Sequence, residues 1–346
     1  MSQASPRRAG RQPHTLMVAA AGYGKTVAME TMGGDGRYLV AADVLATGTA
    51  PPPCDLFVDD LDQLETHEQA AVMRLLDGLD PAVRLVLGSR TPLNPSVRRL
   101  LTGPVFERGP VDLALDVAEV TRVLREDYGL DDALLATEVH TLTAGWPALV
   151  HFAGDAARSD TSGELLSALA DPGVAAAAWI EHEVISGLPR EVAESLESAA
   201  AFDRLTPDLH ALIAADVDPS AAASYSWLRR TGLLVPHPKR FWRKDVTRVV
   251  PVVAAVLRSA RRTPPSDAIS AGQIARAAEW YADHGEPYAA AECLQRVGRT
   301  SEAVSLVLTR GDEMLAAGDA AGVVGILDTA STEQSPIGRQ LLGDAL

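Results

Sequence analysis

Short apolar runs alternating with helical stretches open the chain. TLMVA at Thr15–Ala19 reads as a short buried strand after the polar, basic residues 1–13. The loop AAGYGKT follows, then a helical pattern from Val27. YLVAA at Tyr38–Ala42 reads as a second strand, and Pro51, Pro52 and Pro53 punctuate the connection after it. Leu56–Val58 is a third strand, ending on Asp59 and Asp60; a helix fits from about Thr66 to Leu79; RLVL at Arg84–Leu87 is a fourth strand, ending on Gly88, Ser89 and Arg90. None of these runs alternates apolar with polar residues, so both faces of the sheet are expected to be covered. Strands separated by helical segments predict an α/β domain with a parallel sheet and helices on both faces.

After Pro110 the pattern turns helical. Leu115–Tyr128 and Ala133–Thr143 are amphipathic around the break at Gly129, and AGWP at Ala144–Pro147 is a sharp turn. Helices continue to about residue 260, interrupted where Leu233–Val235 and His237–Trp242 read as a two-stranded ribbon. A few helices with a ribbon predict a winged helix. RRTPPSD at Arg261–Asp267 reads as a linker. From Ala271 the phrases HGEPYAAAECL, VGRTSEAVSLV and AGDAAGVVGIL each set a glycine (Gly285, Gly298, Gly318) before a helix of small residues, and Gly285 and Gly318 lie one 33-residue helix-turn-helix unit apart. A single unit of that kind cannot bury its own face, so this end is expected to belong to a longer array or to meet a partner; Trp280 and Tyr281 read as packing residues of it. The expected organisation is a nucleotide-binding domain over 1–110, a helical lid over 111–180, a winged helix over 181–262 and the start of a helical-repeat (TPR-like) sensor over 268–346.

Composition narrows the function classes. Of 346 residues 47% are hydrophobic and only 5% aromatic, which favours helices and supports a sizeable core. A net charge of -15 repels phosphate backbones, so direct binding of duplex DNA by this chain is not expected. Cys54 and Cys293 match no metal spacing and read as two reduced thiols. No signal-peptide pattern follows Arg7, Arg8 and Arg11, and the run Val174–Ile180, ending at Glu181, His182 and Glu183, is too short to span a membrane. The expectation is a cytoplasmic protein without a membrane segment.

The chemistry concentrates at the first strand–helix junction. A complete P-loop needs Gly, four residues, then Gly-Lys-Ser/Thr. Here Ala19 stands at the first position, and Gly22, Gly24, Lys25 and Thr26 follow between a strand and a helix. Backbone N–H groups and the helix N-terminus suit phosphates; Lys25 is expected to reach the β- and γ-phosphates and the Thr26 hydroxyl to ligate Mg²⁺. The nucleotide-binding residues expected of the segment are Ala21, Gly22, Tyr23, Gly24, Lys25, Thr26 and Val27. Asp59, at the end of an apolar strand downstream, is the expected second magnesium element, acting through water, and Asp60 is placed to orient or activate an attacking water. Arg90, after the fourth strand, is placed to touch the γ-phosphate.

AAAGYGKT, LFVDDLDQL, LVLGSRTP and LTAGWPALV, in that order, resemble the STAND class of signalling P-loop ATPases, in particular the large LuxR-type transcriptional regulators. The resemblance extends over nearly the whole chain, through LRRTGLLVPHPKRFWR, which is similar to that family's winged-helix ribbon, and RAAEWYADHGEPYAAAECL, which is similar to its repeat sensor. In the family the leading P-loop glycine is commonly absent, Asp59 and Asp60 match its acidic pair, Arg90 its arginine sensor, and Gly145, Trp146 and Pro147 a turn whose proline lies near the base. The chain departs from the family in three ways. The connection from the P-loop helix to Asp59 is short, about 30 residues, with room in question for a further helix or strand. VTRVVPVVAAVL carries no histidine where the family often has one that reads phosphate. No C-terminal DNA-binding helix-turn-helix is recognisable.

The resemblance implies an ATP/ADP-dependent switch with slow hydrolysis, Mg²⁺ as the metal, an inducer (a small molecule or protein) at the repeats and self-association in the ATP state, serving as the regulatory ATPase part of a transcriptional regulator. A remodelling motor subunit and a nucleotide-binding interaction module are the alternative classes.

Overall fold

The computed structural model describes residues 13–33, 36–49, 54–80, 82–159, 164–215, 220–238, 245–260 and 271–329. The proline run 51–53, the linker 261–267 and the end of the repeat segment after 329 lie outside them, as does 239–242 of the expected ribbon. In chain order the first elements are β1 (His14–Val18), α1 (Lys25–Gly33), β2 (Arg37–Val40), α2 (Ala41–Thr47), β3 (Leu56–Asp59), α3 (Thr66–Asp77), β4 (Leu85–Ser89), α4 (Pro95–Arg98) and β5 (Val105–Arg108). The five strands form one parallel sheet in the order β2-β3-β4-β1-β5.

Alternation along each strand supplies two cores. Leu16 and Val18, Leu56 and Val58, and Leu85 and Leu87 face Val44, Val72, Met73, Leu76 and Val97 of α2, α3 and α4. The residues between them, Met17, Phe57 and Val86, face Met29 of α1. The three central strands, β1, β3 and β4, are therefore largely apolar because both of their faces are buried.

The short connection to Asp59 holds both a strand and a helix. The second strand ends at Val40, and Ala41 and Ala42, expected as strand, begin α2 instead: Val40 is the extended N-cap, and Gly48 closes the helix at φ 60°. β5 has no counterpart in the sequence expectations, because its residues VFER are short, polar and mostly exposed at the sheet edge.

The chain continues through α5 (Pro110–Leu113), α6 (Val117–Tyr128), α7 (Ala133–Thr143) and α8 (Pro147–Arg158). Asp116 caps α6, accepting from the Glu119 N–H at 2.8 Å while Glu119 accepts from its own, and Gly129 ends the helix at φ 70°. The AGWP turn has both Ala144 (φ 53°) and Gly145 (φ 70°) left-handed. A Cβ on Gly145 would lie 2.1 Å from the Leu115 carbonyl oxygen, so no larger residue fits there. Two helices, Leu165–Ala170 and Ala175–Trp179, lead into a π-helical turn, Ile180–Ile185.

The described residues divide into two compact units. One takes in the chain to Pro189 with Ser226–Pro238 and Val249–Ala260; the other comprises Arg190–Tyr225, 245–248 and the helices from Ala271. This division is coarser than the four expected segments and cuts through the expected 181–262 segment. The ribbon pairs Leu234–Pro236 with Thr247–Val249, so its second strand lies further along than the expected His237–Trp242.

In the second unit the helices Ala271–Asp283, Pro287–Arg296, Thr300–Ala316 and Ala320–Thr329 pack consecutively, around Ala291, Val307, Met314, Val323 and Ile326. Gly285, Gly298 and Gly318 take the left-handed conformation at the turns. Tyr281 is buried and donates its hydroxyl to the Arg204 carbonyl, while Trp280 stacks on His284 at 3.9 Å. The Arg204 guanidinium is buried and bonds Glu286 and Asp319, each at 2.7 Å. Those two acids follow Gly285 and Gly318, the first and third of these turns, so one arginine ties those two turns together. Removing one member of a buried ion cluster leaves the others uncompensated, at a cost of about 3–5 kcal/mol. Arg204→Ala should therefore lower the chemical-denaturation stability of this unit by about that amount. A loss below about 1 kcal/mol would show that the cluster behaves as an exposed pair.

Candidate functional site

The carboxyl ends of β1, β3 and β4 lie side by side, where open α/β sheets bind ligands. β1 ends in the loop Ala19–Gly24, β3 in Asp59 and Asp60, and β4 in Ser89 and Arg90. Because β4 sits between β1 and β3, Arg90 emerges between the loop and the acids.

The loop's four leading carbonyls are all engaged. The buried Lys25 ammonium turns back and donates to the Ala19 and Ala20 oxygens at 2.7 and 3.1 Å. Trp146 Nε1 donates to the Ala21 oxygen at 2.9 Å, and the Ala148 N–H to the Gly22 oxygen at 3.1 Å. The expected binding residue Pro147 thus sits between two residues bonded to the loop. Gly22 (φ 72°) is needed on a second count: a Cβ there would lie 2.6 Å from Ala148 Cβ and 2.8 Å from the Trp179 ring. Gly24 (φ 76°) has nothing within 4 Å of its Cβ position, which leaves open space beside the start of α1.

Tyr23 turns its side chain away from that space. It is buried, stacks on Trp146 at 4.5 Å and donates its hydroxyl to the Gly232 carbonyl at 3.0 Å. Burial pushes the phenol far above its ordinary pKa. Among the expected binding residues, Tyr23 can therefore offer a ligand its backbone only, whereas Thr26 and Val27 are exposed, Val27 at 64%.

Asp59 is buried and its carboxylate accepts three hydrogen bonds. Thr26 Oγ1 and the Tyr38 hydroxyl donate to Oδ2 at 2.7 and 2.9 Å, and the Asp60 N–H donates to Oδ1 at 2.9 Å. That last bond comes with Asp60 in the left-handed conformation, φ 60°. Burial first, then the charges of Asp59 and Asp62, raise the Asp60 carboxyl, and Arg90 and Lys25 oppose them. Burial lowers Lys25 to about 8, against the pull of Asp59, Asp62 and Asp60. Tyr38 is raised to about 12, chiefly by burial and then by its bond to Asp59.

Arg90 is held by acids. Its N–H donates to Asp62 Oδ1 at 2.6 Å, and its guanidinium lies 3.9 Å from Asp62 Oδ2 and 3.2 Å from Glu183 Oε2. Beside it lies a cavity of about 220 Å³ lined by Ala20, Ala21, Asp62, Arg90, Glu183 and Trp227 among others.

Three contributors lie outside the sequence expectations. Tyr38 reaches Asp59 because β2 pairs with β3 in the register Tyr38↔Phe57, a fact of tertiary structure. Asp62 follows the acidic pair on a 3₁₀ turn, Leu61–Gln63. Gly88 is the one with a readable signal, a glycine inside an otherwise apolar strand. A Cβ on Gly88 would lie 2.1 Å from Asp59 Oδ1 and 2.5 Å from Met29 Cε, so its absence makes the space that the carboxylate fills.

The residues suit a magnesium-bound phosphate group. Magnesium is commonly held by one or two carboxylates with substrate phosphates and waters. Thr26 donates its hydroxyl hydrogen bond to Asp59, which leaves its oxygen lone pairs for a cation. Four acids (Asp59, Asp60, Asp62, Glu183) against two cations (Lys25, Arg90) leave an excess of two negative charges, which favours a metal-bound phosphate over a bare one. Among the described residues no group of three or more His, Cys, Asp or Glu could hold a metal alone, and no helix is long and apolar enough to cross a membrane.

No family profile and no curated protein sequence matches the chain. Solved structures with similar outlines include a Signal Transduction ATPase with Numerous Domains (STAND) protein with a tetratricopeptide repeat sensor from Pyrococcus horikoshii, 13% identical over 96% of this chain and 56% of that one, TM-score 0.33. The RuvB Holliday junction branch migration motor of Thermotoga maritima is 16% identical over 69% and 85%, TM-score 0.36. A Walker-type ATPase of Pyrococcus abyssi is 16% identical over 71% and 91%, TM-score 0.46. The chain spans little more than half the length of the STAND protein. These likenesses are remote, and the assignment of the site rests on the residues described above.

Gly88→Ala should cost about 1–3 kcal/mol of stability by overpacking against Asp59. In an Asp59→Ala background the cost should shrink, and a double-mutant cycle on denaturation midpoints reads the coupling. Equal costs in both backgrounds would mean that Gly88 is not there for Asp59.

Proposed function

We propose that the chain is an ATP/ADP-dependent signalling switch that binds a nucleotide with magnesium, hydrolyses ATP slowly and serves as the regulatory ATPase part of a transcriptional regulator. The observation that carries a switch over a motor is the anchoring of the P-loop: Trp146 and Ala148 hold its Ala21 and Gly22 carbonyls, and its Ala20 N–H donates to Thr231 at 2.9 Å. A loop bonded to the lid turn on one side and to the Thr231–Gly232 turn on the other transmits its conformation to both.

Lys25 would leave the Ala19 and Ala20 carbonyls for the phosphates, and Thr26 and Asp59 would hold magnesium, which neutralises phosphate charge. Asp60 takes the attacking water, its raised pKa suiting proton acceptance. Arg90 would meet the γ-phosphate, and Pro147 would cover the base. The winged-helix reading of 181–262 and the TPR-like reading of 268–346 belong to this proposal, with an inducer at the repeats and self-association in the ATP state. ADP favours the closed state and ATP with inducer the open one. A ligand shifts such a balance only by binding one state better, and moving it from 1:99 to 99:1 takes about 5.5 kcal/mol. The acidic chain fits a role in which DNA is read elsewhere, in the cytoplasm.

ADP at about a hundredfold excess over its Kd should stabilise the fold by about 2.7 kcal/mol. It should raise the Tm by several degrees, and Lys25→Ala should abolish the gain. Turnover should stay below about one per second, slow beside a typical enzyme near 10 per second. Fast turnover with no thermal protection by ADP would favour the motor.

The site should also bind nucleotide with proton uptake. Lys25 sits at about 8 in the free site, and phosphates raise it by restoring a charged partner. Below about pH 8 it is already charged; above that pH, binding must recharge it, so Kd rises with pH, toward about tenfold per unit. Calorimetry at pH 9 in two buffers of different ionisation heat should show close to one proton taken up. No uptake there would remove Lys25 from the phosphates.

A further inference from the structure

Arg90 pairs with one acid that cannot leave and one that can. Asp62 is fixed: its side chain is 7% exposed and its Oδ1 is bound by the Arg90 N–H at 2.6 Å, which sets the start of the arginine. Glu183 is 40% exposed and bonds only the far end of the guanidinium, at 3.2 Å. It stands on the π-helical turn Ile180–Ile185, where the Ser186 N–H reaches back to the Glu181 carbonyl. Single π-turns inside helices are frequent at functional sites. The same cavity joins Glu183 and Arg90 to Ala20 and Ala21 of the P-loop.

We propose that Glu183 stands in for the γ-phosphate, holding the Arg90 guanidinium until a nucleoside triphosphate takes it, so that Glu183 sets the chain's discrimination between ATP and ADP. The proposal rests on the nucleotide reading of the P-loop. The site's two cations then behave alike: Lys25 is parked on the Ala19 and Ala20 carbonyls and Arg90 on Glu183, each on protein oxygens that a phosphate oxygen can replace. Such an exchange is easy for Arg90, because a half-exposed ion pair is weak, whereas arginine with phosphate forms a short, often bidentate, charge-assisted pair. A diphosphate ends at the β-phosphate and leaves the Arg90–Glu183 pair in place. A triphosphate breaks it and frees the acid on the π-turn. The γ-phosphate therefore does two things at once, gaining a cation and releasing the π-turn segment that follows Trp179.

The test is equilibrium binding of magnesium–ADP and of the non-hydrolysable β,γ-imido analogue of ATP to the full chain. Glu183→Gln removes the competing charge from a half-exposed position, where it disturbs no packing. The triphosphate analogue should bind about two- to fivefold tighter, the worth of an exposed pair, while ADP affinity stays as in the wild type. Arg90→Ala added to Glu183→Gln should erase the gain. Glu181→Gln, the same charge change on an exposed neighbour, should not reproduce it. Equal tightening of both nucleotides, in either variant, would reduce the effect to general relief of an acidic site and overturn the latch. An unchanged triphosphate affinity in Glu183→Gln would overturn it as well. Wild-type protein that binds neither nucleotide would overturn the P-loop reading itself, a failure visible before any variant is made.

Discussion

A loop that turns its N–H groups toward a phosphate must turn its carbonyl groups elsewhere, and buried carbonyls need partners. Here four consecutive carbonyls, Ala19 to Gly22, find them in pairs: two on the Lys25 ammonium and two on the lid turn at Trp146 and Ala148. Much of the surrounding architecture follows from that need. Gly145 must be glycine so that the turn can approach Leu115 and present Trp146. Gly22 must be glycine so that Ala148 and Trp179 can close on the loop. The turn at Trp146 and Ala148 is thereby a partner of the loop's backbone. The two lysine-held carbonyls are the ones a ligand would release, since Lys25 cannot serve them and a phosphate equally well.

The layout of the first half is legible because it depends on local order. A strand, a Gly-rich turn, Lys25 and Thr26, then an apolar strand closing on Asp59, need no knowledge of distant contacts. The run LFVD was readable as a doubly buried strand because both cores demand apolar residues there. What escaped was set by register and by edges. Nothing in YLV shows that Tyr38 lies opposite Phe57 and so reaches Asp59. VFER is an edge strand whose exposed residues carry no apolar signature. Ala41 and Ala42 were read as strand because Ala prolongs an apolar run, but alanine is the best helix former and yields to a helix wherever the sheet has no room for more. Gly88 was readable as a strand-interior glycine, yet its purpose depends on the carboxylate across the strand.

Electrostatics explains why these acids can gather in so small a space. Asp59 accepts from three donors, whereas Asp60, next in sequence, has its carboxyl raised by burial and by Asp59 and Asp62. Neighbouring carboxylates with separated tendencies to ionise can share work, one binding a cation and the other accepting a proton. Lys25 feels the reverse balance. Burial depresses it while the same acids support it, so its charge is weakest when no phosphate is near and strongest when one is. The acids keep the lysine usable, and the lysine and Arg90 keep the acids from repelling one another.

VTRVVPVVAAVL, which follows the Thr231–Gly232 turn, carries no histidine. The Thr231–Gly232 turn that precedes the ribbon is bonded to the loop without one. It accepts the Ala20 N–H and the Tyr23 hydroxyl, at 2.9 and 3.0 Å, so it already holds the loop by one backbone and one side-chain bond. A Cβ on Gly232 would lie 2.4 Å from that hydroxyl, which ties the glycine to the tyrosine as closely as the tyrosine is tied to Trp146. Any movement of Lys25 off the Ala20 carbonyl acts on the same residue whose N–H the turn holds. In this chain the loop's own backbone is bonded to the turn, through hydrogen bonds that exist in the free protein.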